Sequence, residues 1–441
     1  MGRGQVPVSD NHDTIFAPAT AAGRAGVAVI RVSGPDARHC IECLAGSCPA
    51  PRYMSLRRLK FASDSDETID QALVVFFEAR SSYTGESMAE FHVHGGRATL
   101  ARVLEALSGI PGLRMAAPGE FTRRALINGK LDLTQAEGLA DLIDAETESQ
   151  RRQALALTEG RFSSQIASWR GRLIDGLALI EAAIEFGDEV DISDEDLAAV
   201  RSNISEIGRE LKLILEASAF SKKVREGFEV ALVGPPNVGK SSLINMLAEK
   251  ESAIVSPIAG TTRDVLRIPV DINGLYVTFL DMAGLRDTSD EIEKIGVERA
   301  LLSAEAADIR ILMSSADTRA EADLVKCRDN DIRVWAKCDN GVGPGDINLS
   351  TVTGDGVAQL LDMIFTTLSR RAAGSGYAAH KRQLDGLRNA VDELEAALNT
   401  NDEEVCAAHA KYAIRALEGI VDPVGAEDVL DEVFARFCIG K

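Results

Sequence analysis

The residues most able to do chemistry are Gly234-Pro235-Pro236-Asn237-Val238-Gly239-Lys240-Ser241, set between an apolar run at 230–233 and a helix-patterned stretch at 242–247. That order predicts a strand, a phosphate-wrapping loop and a helix. Glycines let backbone N–H groups turn inward around phosphate oxygens, Lys240 adds a mobile positive charge, and the Ser241 hydroxyl is placed to ligate Mg²⁺. Asn237, Val238, Gly239, Lys240, Ser241 and Ser242 are therefore expected to surround a nucleoside triphosphate.

Downstream, an alternating stretch at 276–280 leads into Asp281-Met282-Ala283-Gly284. A carboxylate at a strand end can hold Mg²⁺ through water, and the glycine N–H can reach a γ-phosphate. Between the two lies Gly260-Thr261-Thr262-Arg263-Asp264, where Thr262 is suited to ligate Mg²⁺ only while the γ-phosphate is present. Base choice falls to Val334-Trp335-Ala336-Lys337-Cys338-Asp339, which resembles the N-K-x-D element of GTPases. Asp339 would accept two hydrogen bonds from guanine, a donor pair that adenine lacks. The usual asparagine is Ala336, so its contacts to the base and the phosphate loop are missing. Ser350-Thr351-Val352-Thr353-Gly354 resembles the loop that backs the base.

The residue after the D-x-x-G element is Leu285, where Ras-type enzymes place a water-orienting glutamine. Another device must align the water. Asn237 together with Ser256, Pro257, Ile258, Ala259, Gly260 and Thr261 offers carbonyls and an amide for a monovalent cation beside the phosphates, K⁺ being the expected ion. The competing reading makes Asn237 a turn former only.

The chain has 441 residues, enough for two to four domains, and a net charge of −20 from 48 basic and 68 acidic residues. Such acidity argues against a broad electropositive surface that grips nucleic acid nonspecifically. No apolar run approaches a membrane span, and seven cysteines fit free thiols in a reducing compartment, so a cytoplasmic location is expected. His39, Cys40, Cys43 and Cys48 invite a zinc reading, but their spacing is helical and no second pair follows. The acidic stretch 188–196 lacks the glycine and final glutamate of a Ca²⁺ loop and is expected to be a solvated bend between helices.

These motifs need a scaffold. Helical periodicity runs from about 132 to 219 and returns at Leu384, Leu387, Val391, Leu394 and Leu398, at 405–417 and at 429–437. Strand patterns fall at 26–32, 72–77 and 90–93. The expected fold is multidomain α/β: a mixed α/β unit over 1–130, a helical domain over 131–225 and 372–441, and an inserted Ras-like P-loop G domain with a mostly parallel sheet over 226–371.

Phe437-Cys438-Ile439-Gly440-Lys441 resembles the signature of the MnmE (TrmE) family, GTPases of tRNA wobble-uridine modification. The stretches 23–34, 83–86, 94–96, 118–122, 128–133 and 135–137 agree, so the resemblance spans essentially the whole chain. It implies a homodimer joined through N-terminal domains similar to folate-dependent aminomethyl-transfer proteins. Each would bind a tetrahydrofolate derivative, in its 5-formyl or 5,10-methylene form, through Arg31, Glu90, Lys130 and Lys441. It also implies that Cys438 is an essential thiol, that Glu293 serves hydrolysis, and that K⁺ sits at Asn237, Ser256, Ile258 and Thr261. An MnmG-like partner carrying FAD would complete a heterotetramer acting on tRNA. Two other readings stay open: a regulatory GTPase without one-carbon chemistry, and a folate-binding transferase with a degenerate G domain.

Overall fold

Alternating side chains decide which way the first sheet faces. In β2 (Ala25–Ser33) the buried residues Ala28, Ile30 and Val32 point to one side, while Val29 and Arg31 point to the other. The structure, a computed structural model, describes residues 13–61, 67–186, 192–250, 266–281, 302–317, 327–369 and 378–422, with Phe434, Phe437 and Gly440. The chain divides into two compact units, Met1–Ala140 with Val421–Lys441, and Asp141–Ile420.

In the first unit, β1 (Thr14–Pro18), β2, β3 (Ser55–Lys60), β4 (Thr68–Phe77), β5 (Met88–Gly95) and β6 (Leu113–Met115) form a sheet in the order β3-β4-β5-β2-β1-β6. Only the β1–β6 pairing is parallel. Helices α1 (Ala37–Ala45) and α2 (Arg97–Ser108) cover one face through Ile41, Leu44, Val103 and Leu107, packed on Ile30, Val74 and Phe91. The expected strands at 26–32, 72–77 and 90–93 are all present, each longer than its apolar centre. Cys40 is buried in this core, where burial pushes its thiol up to about 12. It packs as a small apolar side chain.

On the opposite face, α3 (Glu120–Ile127) places Phe121 against Ile15, Ala17 and Ala116. Its Arg124 is 5 % exposed and donates to Asp13, Glu86 and Glu120 at 2.6, 3.1 and 3.1 Å, while Arg114 also grips Asp13 and Glu120. Burial raises the Asp13 and Glu120 carboxyls, but hydrogen bonds and charge from the arginines outweigh it and hold both below their ordinary 3.8 and 4.5. Carboxyls depressed in the folded state stabilise it above their unfolded values, and that stabilisation is lost as pH falls through the folded ones. Arg124→Met is therefore expected to destabilise the first unit by ~3–5 kcal/mol at neutral pH, because it strands buried carboxylates. In urea titrations the deficit should shrink once pH drops below about 4; a deficit independent of pH would remove the ionic explanation.

The second unit begins within α4 (Leu133–Asp144). α5 (Glu148–Thr158), α6 (Arg161–Phe186) and α7 (Asp194–Glu226) precede a second sheet, and α10 (Lys381–Asn399) and α11 (Glu403–Val421) follow it. Trp169 of α6 is buried and donates Nε1–H to Glu210 of α7 at 2.7 Å. α10 packs on α7, with Lys212 and Glu395 paired at 2.5 Å and Arg201 donating to the Thr400 carbonyl at 2.9 Å. Part of the acidic stretch has a different role from the bend expected of it. Asp194, Glu195 and Asp196 form the first turn of α7, where Ser193 and Asp196 cap each other's backbone N–H. Negative charge there complements the helix dipole.

The second sheet has the order β12-β11-β10-β7-β9-β8, built from β7 (Phe228–Val233), β8 (Leu266–Ile272), β9 (Leu275–Asp281), β10 (Ile309–Ser314), β11 (Ile332–Ala336) and β12 (Ile347–Leu349). It is parallel except for the β8–β9 hairpin. That hairpin turns on Asn273 and Gly274, both at positive φ, and the Gly274 carbonyl accepts from Ser149 N–H at the start of α5. α8 (Lys240–Lys250) and α9 (Val357–Ser369) contribute Leu243, Leu247, Leu360 and Ile364 to the core around β7. Lys223 near the end of α7 pairs with Asp308 at 2.8 Å, and Asp308 also accepts from Glu229 N–H.

Candidate functional site

Parallel strands end together, and this sheet gathers its chemistry at their C-terminal ends. The loop after β7 runs from Gly234 to Gly239 and delivers Lys240 as the first residue of α8. Asn237 takes φ +62° with an exposed side chain, Gly239 takes φ +112°, and Val238 is buried as the loop's anchor. Lys240 is 6 % exposed, and its ammonium donates to the Gly234 and Pro235 carbonyls at 2.8 and 2.9 Å. Burial pushes the ammonium below its usual pKa, partly offset by the charge of Asp281. A phosphate in the loop would favour the charged form.

Asp281 ends β9, the strand beside β7, with Leu232 opposite it in register. Its Oδ2 accepts from the Ser241 hydroxyl at 2.9 Å, whereas Oδ1 is buried with no hydrogen-bond partner among the described residues. A hydroxyl and a carboxylate with an unsatisfied oxygen form a hard donor set, which suits Mg²⁺. Ser242 is exposed on the first turn of α8.

On the other side, Ala336 ends β11 opposite Leu349 of β12. Lys337 follows at φ +57°, its ammonium 3.4 Å from Asp317. Asp339 sits on a short turn, exposed, and its Oδ1 accepts from the buried Ser350 hydroxyl at 2.6 Å. Thus the predicted Asn237, Val238, Gly239, Lys240, Ser241, Ser242 and Asp281 share one rim of the sheet with Lys337, Asp339 and Ser350. Ser256, Pro257, Ile258, Ala259, Gly260, Thr261, Thr262, Met282, Ala283, Gly284, Glu293, Cys438 and Lys441 lie outside the described residues.

A second polar site lies in the first unit. Arg31 and Glu90 are register partners on β2 and β5, and their side chains join through two N–H donors at 3.0 and 3.1 Å. They bind each other rather than standing as separate ligands. Glu90 also faces His92 Nε2 at 3.3 Å, and the Arg31 guanidinium lies 5.4 Å from the Tyr83 ring centre and 5.9 Å from that of Phe121. A cavity of about 320 Å³ opens here, lined by Arg31, Phe77, Ser81, Tyr83, Met88, Glu90 and Leu139. Apolar walls with one charged pair suit a flat heteroaromatic ring carrying polar edges. Lys130 is exposed and donates to the Arg80 carbonyl at 3.1 Å, next to the lining residue Ser81. Tyr83, whose phenol bonds to Thr122 and is pushed up by burial, was not among the expected site residues. Its sequence signal is the stretch Tyr83-Thr84-Gly85-Glu86, one of those that carry the family resemblance.

The family model described as GTP-binding protein TrmE N-terminus matches residues 14–130, and that described as MnmE helical domain matches residues 133–438. A protein named tRNA modification GTPase MnmE from Roseobacter denitrificans is 46% identical over 438 residues, covering 97% of this chain and 100% of the relative. Proteins of the same name from Cereibacter sphaeroides and Paracoccus denitrificans are 45% and 46% identical over 437 and 432 residues, with the same coverage. Identity at this level across 97% of the chain, together with two family models that cover residues 14–130 and 133–438, places it in the MnmE family of tRNA modification GTPases.

Proposed function

We propose that this chain couples GTP hydrolysis to modification of the wobble uridine of tRNA, adding a carboxymethylaminomethyl or aminomethyl group whose carbon comes from a tetrahydrofolate derivative. The observation that carries the reading is the presence of two chemically distinct sites in one chain. One has the phosphate loop with Lys240, Ser241 and Asp281; the other is the cavity at Arg31 and Glu90. A nucleotide switch alone has no use for the second.

Within the first site, Lys240 and the loop N–H groups would hold the β- and γ-phosphates, Ser241 and Thr262 would hold Mg²⁺ with Asp281 behind them, and Asp339 would read guanine. Bound Mg²⁺ supplies charge neutralisation at the phosphates. Glu293 would orient the attacking water, and K⁺ at Asn237, Ser256, Ile258 and Thr261 would take the place of an arginine finger. In the second site Arg31, Glu90, Lys130 and Lys441 would hold the folate, in its 5-formyl or 5,10-methylene form, with Cys438 beside it. The domains would be 1–130 for folate and dimerisation, 131–225 with 372–441 for the helical domain, and 226–371 for the G domain. We take the working form to be a cytoplasmic homodimer assembled with an MnmG-like FAD protein into a heterotetramer. Among the described residues, no helix is long and apolar enough to cross a membrane.

The test separates the two halves. Cys438→Ser should abolish the wobble modification, read by mass spectrometry of bulk tRNA, while GTP turnover of the purified protein stays within about twofold of wild type, as expected if the thiol serves the folate half of the reaction and not hydrolysis. Full modification in that variant would favour a regulatory GTPase instead. GTP hydrolysis should run much faster in K⁺ than in Na⁺, since the smaller ion fits a carbonyl cage built for K⁺ poorly, and Asn237→Ala should erase the difference. Equal rates in both salts would remove the cation from the mechanism.

A further inference from the structure

The element that reads the base lacks its usual asparagine. Ala336 is 3 % exposed and carries no side-chain donor or acceptor, so nothing at that position can tie the Asp339 turn to the rest of the site. An exposed turn without such a tie loses affinity through its own freedom, because each residue must be ordered when the nucleotide binds. Yet Asp339 occupies a turn with tight backbone bonds, Asn340 N–H to the Lys337 carbonyl at 2.9 Å and Gly341 N–H to the Cys338 carbonyl at 3.1 Å.

The neighbour of Ala336 supplies the missing fixation. Trp335 is 4 % exposed, and its indole Nε1–H donates to the Gly341 carbonyl at 3.0 Å, two residues past Asp339. The loop then folds over the ring. A Cβ on Gly343 would overlap the indole, so only glycine lets the backbone lie there, and a Cβ on Gly345 would stand 3.0 Å from the Trp335 N. Gly343 N–H is held from the far side by Asn348 Oδ1 at 3.0 Å, and Asp346 closes the loop on Arg333. Gly341, Gly343 and Gly345 thus wrap a single tryptophan, and Ser350 holds Asp339 itself.

We infer that Trp335 is a positioning residue for guanine recognition: its indole N–H and ring hold the Asp339 turn in place of the absent asparagine. The inference rests on the reading of Asp339 as the guanine acceptor. It implies that Trp335 and Ala336 are coupled, an asparagine being needed less while the tryptophan is present.

The experiment measures binding of GDP, IDP and ADP to the full chain and to Trp335→Phe, Ala336→Asn and the double variant. IDP lacks the 2-amino group, so the GDP/IDP ratio reports one of the two bonds to Asp339. Phenylalanine keeps one six-membered ring in the slot and removes the pyrrole half of the indole together with its N–H, so the hydrogen bond to the Gly341 carbonyl and part of the ring packing are lost together. Trp335→Phe is expected to weaken GDP about five- to tenfold, the worth of one hydrogen bond and its ordering, and to lower the GDP/IDP ratio. Ala336→Asn should then recover more affinity in the Trp335→Phe background than in wild type. An unchanged GDP/IDP ratio, or equal gains in both backgrounds, would overturn the inference. Should Trp335→Phe fail to fold, Asn348→Ala loosens the same loop from its other side and carries the same two readouts. Failure of wild type to prefer GDP over ADP would instead overturn the base reading beneath it.

Discussion

With Asp339→Asn, GDP affinity is expected to fall roughly 10²- to 10⁴-fold, because two hydrogen bonds to a charged acceptor, each contributing ~1.5–3 kcal/mol, are lost together. Ser350 makes the outcome directional. Its hydroxyl donates to Asp339 Oδ1 at 2.6 Å, so an asparagine would turn its oxygen to Ser350 and present its NH₂ to the base. A donor there opposes the guanine N–H groups but matches a base with a carbonyl at the same edge. Xanthine nucleotides should therefore bind the variant better than guanine nucleotides do. Competition titration with GDP, XDP and ADP reads this, and unaltered preference for GDP would refute the assignment of Asp339.

The second large effect belongs to Lys240→Met. Methionine keeps most of the buried stem but leaves the Gly234 and Pro235 carbonyls, now 2.8 and 2.9 Å from the ammonium, without their cation. Those carbonyl dipoles then face the phosphates uncompensated. The turnover number for GTP is expected to fall ~10²–10³-fold, the scale of removing one preorganised charge from a transition state that develops negative charge. Circular dichroism should show an intact fold, since α8 is otherwise anchored by Leu243 and Leu247. Hydrolysis near the wild-type rate would mean that the loop does not hold the reacting phosphates.

The phosphate loop was legible because its chemistry is local: an apolar strand, two glycines and a lysine opening a helix all lie within a dozen or so residues. The centres of β2, β4 and β5 were legible from their apolar runs, whereas Thr68–Gln71 of β4 was not, being polar and set beside the edge strand β3. The Arg31–Glu90 pair is a matter of register between residues 59 apart, which no local pattern encodes. Asp194–Asp196 looked like a solvated bend because acidic residues favour solvent and helix N-termini alike, and only Ser193 beside them tips the choice. Trp335 drew no attention as an apolar residue in a strand, although three glycines at alternate positions just after it are the trace of a backbone forced against a large ring.

The packing of α10 on α7 has a consequence for the order in which the protein is made. Arg201 of α7 and its partner Thr400, at the end of α10, are 199 residues apart, and Arg170 of α6 and Glu418 of α11 are likewise 248 apart. At ordinary rates of synthesis the first member of each pair waits roughly 10–50 seconds for the second to leave the ribosome. Throughout that interval the apolar face of α7 meant for α10 stands uncovered, while the strands around β7 have time to fold between the two halves. Helices α5–α7 thus wait for α10 and α11 while the whole second sheet is synthesised between them.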